Sequence, residues 1–357
     1  MNSPQRGQLA GITSALLFGC SAPLISTLTP AGSALSIAGL LYGGASVALL
    51  VLRAVRRPRA ETPVGRADLP PLALLTLLGG VVAPLALVSG LARLSPASGS
   101  LLLNLEAVFT LAIAVLLGRE HLGRRGFLSA GFTLAGALVL SEGSLVGSTW
   151  LGASLIALAT LAWGIDNNIS QRLTLRDPLQ IASIKATGAA LPMLGLAALM
   201  GERFPSPPMV AALLVIGALG YGVSIWLDLL ALRALGAARE AVIFSSAPFV
   251  GAVFAVAVLR EPITLPLLVA STLMVSGVAL LLREEHSHLH RHAPLRHAHR
   301  HRHDPSGGDL HHEHHHTPQQ LNGCSTDQPF WHAHEHDHEP VEHAHPHVSD
   351  AHHRHAH

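Results

Sequence analysis

Five polar residues interrupt otherwise apolar runs: Asn104, Glu106, Asp166, Asn167 and Lys185. A charged side chain at the centre of a bilayer-spanning helix costs about 2.5–3.5 kcal/mol or more, so it marks a pathway or a partner. Glu106 falls halfway along such a run, with Asn104 two residues before it. A carboxyl held there is costly to ionise, and it could carry a proton or bind a cation. The plainer alternative is a protonated glutamate tying two helices together. Asp166, Asn167 and Asn168 end a later run, and Lys185, the chain's only lysine, begins the next. Lys185 stands two turns in, roughly 9 Å along its helix. Asp166 has similar depth on the preceding antiparallel helix, so the two could pair and line the inner half of a cavity. Otherwise Lys185 snorkels to the interface and Asp166 caps a helix end. Asp228, close to Arg233, reads as interfacial, and Glu120 and Glu261, each beside an arginine, read as surface anchors. Trp163, Tyr221 and Trp226 could line the path but read first as packing, and Pro23, Pro84, Pro192 and Pro248 fall within spans, where kinks are tolerated and could serve as gates.

The C-terminal 72 residues offer a different chemistry, since they hold 24 of the 25 histidines. The candidate ligands are His286, His288, His290 and His292; His297, His299, His301 and His303; His311, His312, His314, His315 and His316; His332, His334, His336 and His338; His343, His345 and His347; and His352, His353, His355 and His357. Imidazole suits zinc, nickel, copper and cobalt, and the interleaved Asp and Glu add oxygen ligands. The neutral imidazole that ligates is the main form near pH 7. No Cys/His finger spacing is present, so several exchangeable sites are expected rather than one closed site. No cofactor is required. Alternating His with Pro, Gly and acidic residues cannot bury a core, so the tail is expected to be disordered by itself. It reads either as a cytosolic metal buffer or sensor, or as a polar, pH-responsive appendage. Its blocks partly repeat (APLRHAHRHRHD against EPVEHAHPHVSD), which a purification tag would not explain.

Ahead of the tail the chain is greasy. Of 357 residues, 49% are apolar and only 13% charged, which excludes a soluble enzyme, a disulfide scaffold and a nucleic-acid binder. No nucleophile–base pattern or phosphate loop supports an enzymatic role. Cys20 and Cys324 are too far apart in sequence to imply a disulfide framework. Ten apolar windows, near 8–28, 33–52, 71–92, 97–117, 124–141, 149–171, 179–200, 208–231, 238–259 and 264–282, each have the length a spanning helix needs. The first could be taken for a cleaved signal peptide, but its apolar stretch is long and the same pattern recurs downstream, so a retained span is expected.

With the N-terminus inside, fourteen arginines fall in cytoplasmic segments (Arg6; Arg53, Arg56, Arg57, Arg59 and Arg66; Arg119, Arg124 and Arg125; Arg172 and Arg176; Arg233 and Arg239; Arg283). Only Arg93, Arg203 and Arg260 fall outside, a clear positive-inside bias. Ten spans return the tail to the cytoplasm.

The two halves resemble one another. An offset of 141 residues lays AVFTLAIAVLLGRE (107–120) on PFVGAVFAVAVLRE (248–261), Leu94 on Leu235 and Gly136 on Gly277; nearer the start of each half, Phe18-Gly19 answers Trp163-Gly164. Five spans per copy is odd, so the copies must insert with opposite topology, a signature of secondary transporters. The GREHL (118–122) and LREPI (259–263) motifs, the stretch SAPFVGAVFAVAVLREPIT (246–264) and the five-plus-five layout resemble the EamA branch of the drug/metabolite transporter superfamily over residues 1–282. The resemblance implies a ten-helix fold and alternating access for export or uptake of a small solute. NLEAVFT (104–110) and WGIDNN (163–168) look like a subgroup of that family.

The expectation is therefore an all-α membrane protein with two inverted five-helix repeats (1–142 and 143–285) and a disordered histidine-rich cytoplasmic tail (286–357). It would be a multi-pass inner-membrane protein with both termini cytoplasmic. Its partners would be the lipid bilayer and a small-molecule or ion substrate, with no nucleic acid, and homodimerisation stays open. Proton coupling through Glu106 leads the mechanistic readings. A carrier of divalent nickel, cobalt or zinc fed by the tail, and a membrane-tethered metal store, are the alternatives.

Overall fold

The computed structural model describes residues 3–56, 63–117, 123–142, 147–170, 173, 176–235, 240, 243–281, 286–291, 295–303, 330–338 and 342–347. Up to residue 281 every regular element among them is helical. Seven helices are long and apolar enough to cross a bilayer: Gln5–Ala31, Ala34–Val55, Arg66–Leu91, Pro96–Leu116, Thr149–Ser170, Pro178–Leu199 and Pro207–Ala231. Arg124–Glu142, Ala247–Ala257 and Leu265–Leu281 occupy the places of the fifth, ninth and tenth windows. These ten segments are numbered below as spans one to ten.

Four interruptions fall at matching places in the halves. Span three contains a π-helical turn, Thr76–Val82, and span eight another, Ala218–Val223. Span four breaks at Leu103-Asn104 between helices Pro96–Leu102 and Leu105–Leu116. Span nine breaks likewise at Ser245-Ser246, between helical residues 243–244 and the helix Ala247–Ala257. Pro84 and Pro248 sit in the first turn after two of these interruptions, where the missing N–H costs nothing. Pro23 and Pro192 lie inside continuous helices.

Packing exchanges the two halves. Span one packs on spans eight and nine, and span six correspondingly on spans three and four; span two lies against span seven, and span five against span ten. Small residues set these approaches, as expected where lipid supplies no hydrophobic drive between helices. A Cβ on Gly136 would come 2.9 Å from Met274 Cγ, and one on Gly277 would come 2.8 Å from Thr133 Oγ1, so repeat-equivalent glycines hold both sides of the five–ten contact. At one end of the bundle Arg176 Nε pairs with Asp68 Oδ2 at 2.8 Å, joining the starts of spans three and seven.

The described parts of the tail are extended. Its backbone forms four strands, β1 (His286–Arg291), β2 (Leu295–His303), β3 (Phe330–His338) and β4 (Glu342–His347). They pair as two antiparallel ribbons, β1 with β4 and β2 with β3. In the first, His286 stands opposite His347, His288 opposite His345 and His290 opposite His343. In the second, His297 faces His336 in register, His299 faces His334 and His301 faces His332. Histidine at every second position is a strand period, which composition alone hides.

Candidate functional site

The end of span six gathers the polar groups. Of residues 166–168, Asp166 addresses span seven while Asn167 and Asn168 address span four. Asp166 Oδ2 is ion-paired and hydrogen-bonded to Lys185 Nζ of span seven. Asn167 Nδ2 donates to Glu106 Oε1 of span four at 2.9 Å. Asn168 Nδ2 donates to the Thr110 carbonyl at 3.0 Å and to the Gly164 carbonyl at 2.9 Å. Asp166 and Asn168 are buried, Glu106 is half-buried and Asn167 is exposed within the bundle surface. The pairing expected for Asp166 and Lys185 is present, and Glu106 joins the same cluster.

Span three closes the cluster from the other side. Gly79, in its π-helical turn, lies against the ion pair: a Cβ there would come 2.5 Å from Asp166 Oδ1 and 2.7 Å from Lys185 Nζ. Its carbonyl accepts from Tyr42 Oη at 2.7 Å and from Trp163 Nε1 at 3.1 Å, so spans two and six both grip this turn. Asp166 Oδ1 has no hydrogen-bond partner among the described residues. Tyr42 also packs on Tyr221, with centroids 6.0 Å apart, and Tyr221 meets Phe18 edge-on at 5.8 Å. These aromatics connect the cluster to the π-helical turn of span eight. Gly79 and Tyr42 carry no distinguishing signal in so glycine-rich and apolar a chain, and Trp163 offers only the general signal of an aromatic within a span.

Asn104 does not join the cluster. Its Nδ2 donates to the Leu101 carbonyl at 2.9 Å and lies 4.0 Å from Met274 Sδ, and it borders a groove with Ser129 and Thr133 of span five and Val278 of span ten. Two helical steps turn a side chain through about 200°, so a residue two before Glu106 faces away from it. Other acidic residues stand near the bundle ends. Asp228 is half-buried, and its Oδ1 has no hydrogen-bond partner among the described residues. Glu261 is more than a surface anchor: its Oε2 accepts from the Ala97 backbone N–H at 2.8 Å and caps the first helix of span four. Glu120, and the tail residues His292, His311, His312, His314, His315, His316, His352, His353, His355 and His357, lie outside the described residues.

The charges are absent from the matching place in the other half. The Phe18/Trp163 correspondence puts Ser21 and Ala22 where span six has Asp166 and Asn167. The 141-residue offset puts Ala247 at the place of Glu106, and counting from the helix caps Ser33 and Asp177 puts Leu41 at the place of Lys185. Gly220 meets Ser21 as Gly79 meets Asp166, with a Cβ on Gly220 only 2.7 Å from Ser21 Cβ. The same architecture is therefore built twice, and one copy needs no charge.

Apolar helices closed around a cluster of titratable and amide side chains define an integral membrane protein, arranged as two packed repeats. The model of the EamA-like transporter family matches residues 5–142 and again 150–283. A transporter of Methanothermobacter thermautotrophicus, described as uncharacterized, is 28% identical over 295 residues, covering 77% of this chain and 85% of its own. An uncharacterized protein of Pseudomonas aeruginosa is 31% identical over 197 residues, covering 53% of this chain and 66% of its own. A protein of known crystal structure shares the fold with a TM-score of 0.56 at 18% identity, covering 78% of this chain and 97% of that one. The chain belongs to the EamA-like transporter family and is a membrane transporter.

Proposed function

We propose that the protein is a secondary active carrier of a small polar solute, coupled to protons through Glu106 and working by alternating access. The observation that carries this reading is the one-sidedness of the charge: Asp166, Asn167, Lys185 and Glu106 against Ser21, Ala22, Leu41 and Ala247. Packing cannot account for charges that the equivalent contacts do without, and ionised groups inside a membrane protein are costly unless used. Glu106 stands in the first turn after the break in span four, a discontinuous helix of the kind that lines carrier sites. With two carboxyl groups against one ammonium, the cluster favours one further positive charge, which a proton or a protonated amine supplies. Asp166 Oδ1 offers an acceptor for it.

In this cycle Glu106 exchanges its proton for solute at the face where the cluster is open, and Asn167 follows the carboxyl in both forms. The π-helical turns of spans three and eight, each pressed on the first helix of the opposite repeat, are the points where the repeats rock past one another. The carrier would lie in the inner membrane with both termini in the cytoplasm.

The test is uptake by the full chain reconstituted in vesicles, with a panel of radiolabelled amino acids and organic amines run beside nickel, cobalt and zinc. Accumulation of an organic solute that collapses with the pH gradient supports the reading. Accumulation of a metal, and no organic solute, would replace it with the metal-carrier reading.

A further inference from the structure

We propose that each ribbon of the tail is a transition-metal site assembled across its two strands, from histidines that stand opposite one another in the register. Each ribbon has three consecutive opposed histidine pairs, separated by one residue along each strand. Residues at alternate positions share a face, so the three pairs of a ribbon lie on one face. Opposed positions are about 5 Å apart, and neighbouring positions on one face are about 7 Å apart. Two adjacent pairs therefore set four histidines at the corners of a small rectangle, two from each strand, and metal–imidazole bonds of about 2.0–2.1 Å can close it on one ion.

The register does more than gather histidines. On the opposite face, Arg296 stands across from Asp337, and Arg291 across from Glu342. Opposite charges thus take opposed register positions where histidines do not. A slip of one residue would set these histidines against residues such as Ala, Pro or Trp and lose every pair at once. The strands of a ribbon are joined through dozens of intervening residues, 304–329 for the inner one. Closing so long a loop is entropically unfavourable, and an ion bound by both strands offsets that cost. The ligand class is a borderline divalent ion such as zinc, nickel, cobalt or copper. This inference stands whether or not the bundle carries protons.

The discriminating property is coupling between the strands. Cobalt(II) is titrated into the full chain in lipid nanodiscs, with its visible absorption and a competing chelator reporting tight sites. One variant carries His297→Ala, His299→Ala and His301→Ala; a second carries His332→Ala, His334→Ala and His336→Ala; a third combines all six. A control carries five substitutions outside the ribbons, His311→Ala, His312→Ala, His314→Ala, His315→Ala and His316→Ala. Each triple variant is expected to lose the same tight ion, with affinity down tenfold or more, and the six-fold variant to lose no more than either. The control keeps that ion. Losses that add from strand to strand, or a control that loses cobalt in proportion to its missing histidines, would overturn the proposal, because the tail would then bind as a loose polymer.

Discussion

Asn167 and Glu106 are joined across spans six and four by a 2.9 Å hydrogen bond, one residue from the Asp166–Lys185 ion pair. Span six thus holds a carboxyl of the first repeat on one side and an ion pair of the second on another. On the proposed reading, a proton gained or lost at Glu106 changes what Asn167 holds, and so what the end of span six does.

The ion pair is buried enough that breaking it is worse than removing it. Leaving one charge of a buried pair alone costs about 3–5 kcal/mol, whereas replacing both members is often close to neutral. Asp166→Asn and Lys185→Met should each lower the thermal unfolding temperature of the purified protein markedly. The double variant should recover most of the loss while staying inactive in vesicle uptake. A double variant as unstable as the sum of the singles would contradict the pairing.

Gly79 should tolerate no side chain. A methyl group there would overlap Asp166 and Lys185, and overpacking of a tight interior costs about 1–3 kcal/mol. Gly79→Ala is expected to displace the ion pair and abolish uptake in protein that still inserts. Gly131→Ala and Gly195→Ala, where a Cβ meets nothing within 4 Å, should leave both uptake and unfolding unchanged.

Tyr42→Phe removes one of two donors to the Gly79 carbonyl and leaves Trp163 in place. One hydrogen bond is worth about 1 kcal/mol, so a small fall in stability with uptake retained is expected. Loss of uptake with stability unchanged would give the hydroxyl a role in solute binding instead.

Chelation should separate the tail from the bundle. Among the described residues of the helical bundle no group of three His, Cys, Asp or Glu side chains converges to hold a metal. Stripping metal with EDTA is expected to leave the thermal unfolding of the helical bundle where it was, with the change confined to tail-bound cobalt absorption. A shift in bundle unfolding would place a metal inside it.

Much of the site could be read from the sequence because charge is conspicuous in apolar runs. Glu106 and the only lysine stood out for that reason, and antiparallel neighbours at matched depth were enough to pair Asp166 with Lys185. Asn104 was misplaced because nearness in sequence is not nearness on a helix. Gly79 was invisible, since what distinguishes it is the group pressed on it from another span. The interruptions in spans three, four, eight and nine depend on tertiary packing, and hydropathy averages across them. In the tail the two-residue period of histidine was there to be read, but no sequence pattern says which strand pairs with which.

The central claim is that Glu106 couples solute movement to protons. Wild type and Glu106→Gln are compared in vesicles under an imposed pH gradient, using the solute found in the uptake panel. Glutamine keeps an acceptor for Asn167 and cannot titrate. The account predicts that Glu106→Gln still equilibrates solute across the membrane but no longer accumulates it against a gradient. Undiminished accumulation with unchanged pH dependence would contradict it.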